Sequence, residues 1–143
     1  TQSKVASDGS LFFVGTWDNM FRAIDAESGK VVWSHKFGKS RGGAFSFYFA
    51  PAIGSPTVGD GKVFISSNDG LLHAVDIATG KIAWETPQSH QLGYCGPLYR
   101  DGRIYQGPLA GQVYCFDAHD GSILCPAGTG SAIYEKAAVP AVV

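Results

Sequence analysis

The sequence predicts an all-β protein built of β-propeller blades: about three four-stranded antiparallel blades of a larger or oligomerically completed propeller. Three observations predict it. One turn-and-strand motif occurs three times at fixed spacing. A short alternating strand, introduced by Asp-Gly, precedes each copy. The 143 residues include 19 glycines and 13% aromatics but only 16% charged residues, a composition that suits short strands joined by tight turns.

With the strands of a blade named A to D in chain order, the first blade is expected at about residues 3–37. It opens around Lys4-Val5-Ala6, turns at Asp8-Gly9, continues from Leu11, and ends in a motif containing Ala23, Asp25, Ser28, Gly29, Lys30 and Trp33. The second, at about 54–87, repeats the order with Ser55 to Val58, Asp60-Gly61, a strand from Lys62, and Ala74, Asp76, Thr79, Gly80, Lys81 and Trp84. Asp76, Gly80 and Trp84 each stand 51 residues after Asp25, Gly29 and Trp33. The third, at about 94–126, has Gly96 to Tyr99, Asp101-Gly102, a strand from Arg103, and Asp117 and Gly121, which follow Asp76 and Gly80 by 41 residues. Cys115, Ser122 and Cys125 there replace the Ala, Lys and Trp of the earlier copies.

Each part of the unit has a physical reason. Alternation of period two, as in Val63 and Ile65 against Phe64, makes a sheet and not a helix. Asp-Gly favours the left-handed dihedrals of hairpin turns. Asp25, Asp76 and Asp117 stand four residues before a glycine, where a carboxylate accepts backbone N–H bonds of the turn that follows. Gly29, Gly80 and Gly121 supply the positive φ of that turn. Trp33 and Trp84 are expected to pack between adjacent blades with their indole N–H as a polar tip.

The pattern A-x-D-x-x-[TS]-G-K-x-x-W resembles the tryptophan-docking motif of the pyrroloquinoline-quinone (PQQ) repeat family. That family includes quinoprotein alcohol dehydrogenases, polyvinyl-alcohol-dehydrogenase-like proteins and the outer-membrane assembly lipoprotein type. The resemblance covers nearly the whole chain and carries the fold, since the motif is scaffold. It implies two functions of different kinds. One is a non-catalytic propeller that scaffolds or binds a protein partner, in the periplasm or outside the cell. The other is a segment of an alcohol or sugar dehydrogenase that uses PQQ and calcium, bound at the channel mouth. No cofactor is demonstrable from the residues alone. The adjacent cysteine pair of many of those dehydrogenases is missing, and Asp18, Asn19, Asn68 and Asp69, which lie in B–C loops, read first as turn residues.

Residues 139–143, Val-Pro-Ala-Val-Val, match the first strand of a further blade, expected at about 137–143. Closed propellers have about 4–8 blades. The remaining blades are therefore expected in the same longer chain, or in a second copy whose terminal strands pair with these and cover the sheet edges.

The two faces of such a propeller differ. The A–B and C–D turns are short and repetitive, whereas the B–C loops and the crossings between blades vary, and binding is expected there. The candidate face comprises Trp17, Arg41, Phe45, Phe47, Tyr48, Phe49, His90 and Tyr94. The aromatic run from Phe45 to Phe49 reads either as a loop folded over the blade or as an exposed anchor. Arg41, beside two glycines, reads as a carboxylate clamp or an ordinary surface arginine. His35 and His73 lie within strands, His119 in a turn, and no two histidines have a metal-ligand spacing. Cys115 and Cys125 face each other across the third hairpin, where two thiols or a cross-strand disulfide both fit.

Other classes are excluded. A net charge of −1 offers no field for a nucleic-acid backbone. No window approaches the roughly 18 apolar residues of a membrane helix. No nucleophile elbow, phosphate-binding loop or dinucleotide fingerprint occurs.

Overall fold

The computed structural model describes residues 4–38, 54–87, 96–107 and 113–125. They form twelve strands in three four-stranded antiparallel sheets, each with its strands in sequence order. The first blade comprises β1 (Ala6–Ser7), β2 (Leu11–Gly15), β3 (Met20–Asp25) and β4 (Val31–Lys36). The second comprises β5 (Thr57–Gly59), β6 (Lys62–Ser66), β7 (Leu71–Asp76) and β8 (Ile82–Pro87). The third comprises β9 (Leu98–Arg100), β10 (Arg103–Gln106), β11 (Tyr114–Asp117) and β12 (Ile123–Cys125). The first strands β1, β5 and β9 lie side by side, and Lys4 N donates to Ser55 Oγ at 3.1 Å across the first gap.

The cores lie between blades. On β6, Val63 and Ile65 point toward blade 1 and pack with Phe13, Phe21, Ala23 and Phe37. Phe64, between them in sequence, points the other way and packs with Ile104, Tyr114 and Phe116 of blade 3. The period-two alternation thus feeds two separate sheet-on-sheet layers, and the middle sheet is apolar on both faces.

Asp60-Gly61 and Asp101-Gly102 make two-residue turns, with φ of +48° at both aspartates and +68° and +74° at the glycines. The first hairpin departs from this pattern. Ser7 pairs with Phe12, and Asp8 Oδ1 accepts from the N–H groups of Ser10 (2.9 Å) and Leu11 (2.8 Å). Ser10 intervenes between the Asp-Gly and the strand, so the turn widens and the aspartate side chain closes it.

The C–D turns hold the motif. Asp25 Oδ1 accepts from Ser28 N at 2.7 Å and Ser28 Oγ at 2.6 Å; Asp76 Oδ1 accepts from Thr79 N and Oγ1, both at 2.8 Å. In the third copy Asp120 stands in place of Ser or Thr and has no hydroxyl to donate. Asp117 Oδ1 accepts instead from His119 N at 2.7 Å, while Asp120 turns to Ser122 N at 2.9 Å. The backbone bond from Gly to Asp is 2.9 Å in all three copies. A second bond ties each C–D turn to the A–B turn beside it, as from Ile77 N to Gly61 O at 3.1 Å, so both turns share one face.

Hydroxyl and backbone donors from Ser28 and Thr79 hold the Asp25 and Asp76 carboxyls below their usual range. A depressed folded-state value means that this stabilisation is present above the ordinary carboxylate range and lost as the pH falls through it. Asp76→Asn keeps an acceptor for Thr79. It is expected to unfold with a flatter acid limb than the parent in pH-dependent urea titrations.

Each of the two motif tryptophans reaches the next blade. Trp33 Nε1 donates to Ile77 O at 2.8 Å, and Trp84 Nε1 donates to Ala118 O at 3.1 Å. The indoles lie against Gly80 and Gly121, where a Cβ would come within 2.6 Å of Trp33 and 2.5 Å of Trp84. Phe12 is 42% exposed, whereas Val63 and Ile104 at the equivalent positions are fully buried by the blade before them.

Candidate functional site

The variable face begins with the B–C loops. Those of blades 1 and 2 share one backbone. Thr16 N bonds Met20 O at 2.9 Å and Asn19 N bonds Thr16 O at 3.2 Å; Ser67 N bonds Leu71 O at 3.0 Å and Gly70 N bonds Ser67 O at 3.1 Å. The last loop position needs a left-handed residue, supplied by Asn19 (φ +67°) in one and Gly70 (φ +86°) in the other.

On that common backbone the side chains diverge. At the tip of the first loop Trp17 is 47% exposed. Beside it both oxygens of Asp18 face Arg22, Oδ1 lying 3.1 Å from Nη1, and Thr16 Oγ1 also donates to Oδ1. The Arg22 and Thr16 hydrogen bonds hold the Asp18 carboxyl well below the usual carboxylate range. In the second loop the corresponding pair is Asp69 and His73, and both are buried. His73 Nε2 lies 3.2 Å from Asp69 Oδ1, and its Nδ1 lies 2.9 Å from Glu85 Oε1 on β8. Burial disfavours the Asp69 carboxylate, but hydrogen bonds from His73 and Ser67 outweigh it and keep the group below its usual range. Ser66, Ser67 and Gln106 complete a buried polar layer, in which Ser66 Oγ donates to Gln106 Oε1 at 2.7 Å across the joint to blade 3.

The start of the first crossing covers this layer. Phe37 N donates to Asn19 O at 3.1 Å, its ring lies 4.3 Å from the His73 imidazole, and Gly38 N donates to Asp69 Oδ2 at 3.2 Å. Of the candidate face read from the sequence, Trp17 is placed in a B–C loop. Arg41, Phe45, Phe47, Tyr48, Phe49, His90 and Tyr94 lie outside the described residues. Cys115 is buried, and its backbone pairs with that of Cys125 across β11 and β12. The sequence reading gave His73 no role beyond that of a strand residue. The signal was in the repeat, since Asp69 and His73 stand 51 residues after Asp18 and Arg22.

The family model PQQ_2, described as "Outer membrane protein assembly factor BamB", matches residues 1–95. The chain belongs to this PQQ-repeat family. Quinohemoprotein alcohol dehydrogenase ADH-IIG of Pseudomonas putida is 27% identical over 128 residues, covering 82% of this chain and 18% of that protein. Outer membrane protein assembly factor BamB of Yersinia pestis is 23% identical over 118 residues, covering 82% of this chain and 30% of that protein. Among solved structures, BamB from Moraxella catarrhalis superposes with a TM-score of 0.68 at 20% identity, covering 87% of this chain and 35% of that one. The PQQ-repeat chain therefore spans less than a third of the length of these curated relatives. Among the described residues no helix is long and apolar enough to cross a membrane.

The resemblance to quinoprotein dehydrogenases raises the question of calcium and PQQ. Calcium takes six to eight oxygen ligands, with carboxylates turned toward the ion. Here both oxygens of Asp18 face Arg22, and those of Asp69 face His73, Ser67 and Gly38. Asp69 and Glu85 approach opposite nitrogens of His73, so the three groups do not converge on one point. The described carboxylates of this face do not converge on a calcium site.

Proposed function

We propose that this chain is part of a non-catalytic PQQ-repeat propeller that binds a protein partner through the face of B–C loops and blade crossings, in the periplasm or outside the cell. One observation carries the reading. Two B–C loops with one backbone present different side chains, and their aspartates are tied to cationic or hydrogen-bonding groups of the same chain. A scaffold repeated in this way, with one face varied, is how repeat proteins build binding surfaces. Trp17, exposed beside the Asp18–Arg22 pair, is the kind of residue that anchors an interface. The reading extends to Arg41, Phe45, Phe47, Tyr48, Phe49, His90 and Tyr94, the other sequence candidates for that face, which lie outside the described residues. Similarity to a protein named as an outer membrane assembly factor supports both partner class and location.

The second reading, a segment of a PQQ- and calcium-dependent alcohol or sugar dehydrogenase, draws on the similarity to ADH-IIG. Native mass spectrometry of the protein purified from its source separates the two. A binding propeller is expected to carry no small molecule and to reduce no dye when supplied with PQQ, calcium and an alcohol. One PQQ and one calcium per ring, with alcohol-dependent dye reduction, would replace the first reading by the second.

A further inference from the structure

His73 has a hydrogen-bonding requirement that its neighbours set. It is 1% exposed, and each ring nitrogen faces a carboxylate oxygen, Glu85 Oε1 at 2.9 Å and Asp69 Oδ1 at 3.2 Å. Carboxylates in their ionised form only accept, and a neutral imidazole has one N–H. With both carboxylates ionised, both contacts are hydrogen bonds only when the ring carries two protons. Asp69 is poorly suited to donate instead, because it already accepts from Ser67 Oγ, from Leu71 N at 3.1 Å and, through Oδ2, from Gly38 N at 3.2 Å.

The ring also touches blade 1. Phe37, from the end of that blade, lies 4.3 Å from the imidazole at 31°, within reach of a cation–π contact. Gly38 follows and bonds the same Asp69. The joint between the first two blades is thus fastened on this face through Asp69 and His73. In blade 1 the equivalent pair is Asp18 and Arg22, a permanent cation with half its partner's surface in solvent. Blade 2 has a titratable cation at the same place. Among the described residues, the other titratable group facing the cluster is His35 on β4, whose ring is 5.3 Å from Phe37. Burial and the charge of His73 hold His35 below its usual value, against the pull of Glu85 and Asp69.

We propose that His73 is an imidazolium staple: doubly protonated, it holds Phe37 and Gly38 of blade 1 against the B–C loop of blade 2, and loss of its second proton as the pH rises loosens that joint. A neutral ring leaves a lone pair against a carboxylate, which repels it, and removes the charge that faces Phe37. The sign follows: the staple contributes when protonated and is lost at higher pH.

Ring-nitrogen NMR of histidine-labelled protein, with amide exchange measured at Gly38 over the same pH series, tests this without a substitution. Both nitrogens of His73 are expected in the protonated form at the acid end of the folded range. Gly38 exchange, after correction for its intrinsic pH dependence, is expected to accelerate roughly tenfold as that ring titrates. His73→Arg, which copies the pair of blade 1, is expected to keep Gly38 protected throughout, and His35→Asn is expected to leave the response in place. A single neutral tautomer of His73 across the folded range would overturn the proposal. So would Gly38 protection indifferent to the titration, a pH response that survives His73→Arg, or one that vanishes with His35→Asn.

Discussion

Gly80→Ala is expected to destabilise the protein by roughly 2–4 kcal/mol, about twice the loss expected for Gly29→Ala. Both glycines have φ of +68°, so both substitutions carry the same left-handed strain, about 1–2 kcal/mol. They differ in what the new methyl meets. At Gly29 nothing lies within 4 Å, whereas at Gly80 the Cβ would sit 2.6 Å from Cγ of Trp33. The indole cannot simply back away, because its Nε1 is bonded to Ile77 O at 2.8 Å and its ring packs on Phe13 and Phe21 at centroid distances of 5.9 and 5.8 Å. Urea midpoints of the two variants measure the difference. Equal losses at the two positions in the protein from its source would mean that a further tryptophan-bearing blade lies on Gly29.

Phe64→Ala is expected to cost about 3–5 kcal/mol, the range for removing a buried aromatic ring and leaving a cavity. Phe64 is fully buried at the second joint, parallel to Tyr99 (5.9 Å, 2° between planes) and tilted against Trp84 (5.8 Å, 38°). It is held between two rings from different strands, so neither blade can close the gap alone. Phe64→Leu refills most of the volume and is expected to lose about 1–2 kcal/mol. Chemical unfolding of both variants checks the pair. A small loss for Phe64→Ala would mean that the joint between blades 2 and 3 contributes little to the folded state.

The architecture was legible because each element follows from a local pattern repeated in phase. Alternation in Val63-Phe64-Ile65 gives the two buried faces of one strand, Asp60-Gly61 gives a two-residue turn, and Asp76 with Thr79 and Gly80 gives the C–D turn. Where the local pattern changed, the structure changed with it. Ser10 widened the first hairpin, and Asp120, without a hydroxyl, sent Asp117 to a different backbone donor. Both differences involve residues visible in the sequence, but choosing the new partner requires the geometry of the turn.

The candidate site was less legible, for a different physical reason. The repeat pairs Asp18 with Arg22 and Asp69 with His73 at one spacing, and nothing along the chain shows that the first pair is exposed and the second buried. Burial there depends on Phe37 and Gly38, which belong to another blade. Glu85 reaches His73 because β7 and β8 are in register at those residues. Short-range chemistry, set by residues within a few positions of one another, fixed the strands, the turns and the glycines that a tryptophan needs to dock. The charge environment of His73 and the unequal exposure of two sequence-equivalent pairs come from sheets packed across a joint, because desolvation depends on what lies over a group and not on what stands beside it in the chain.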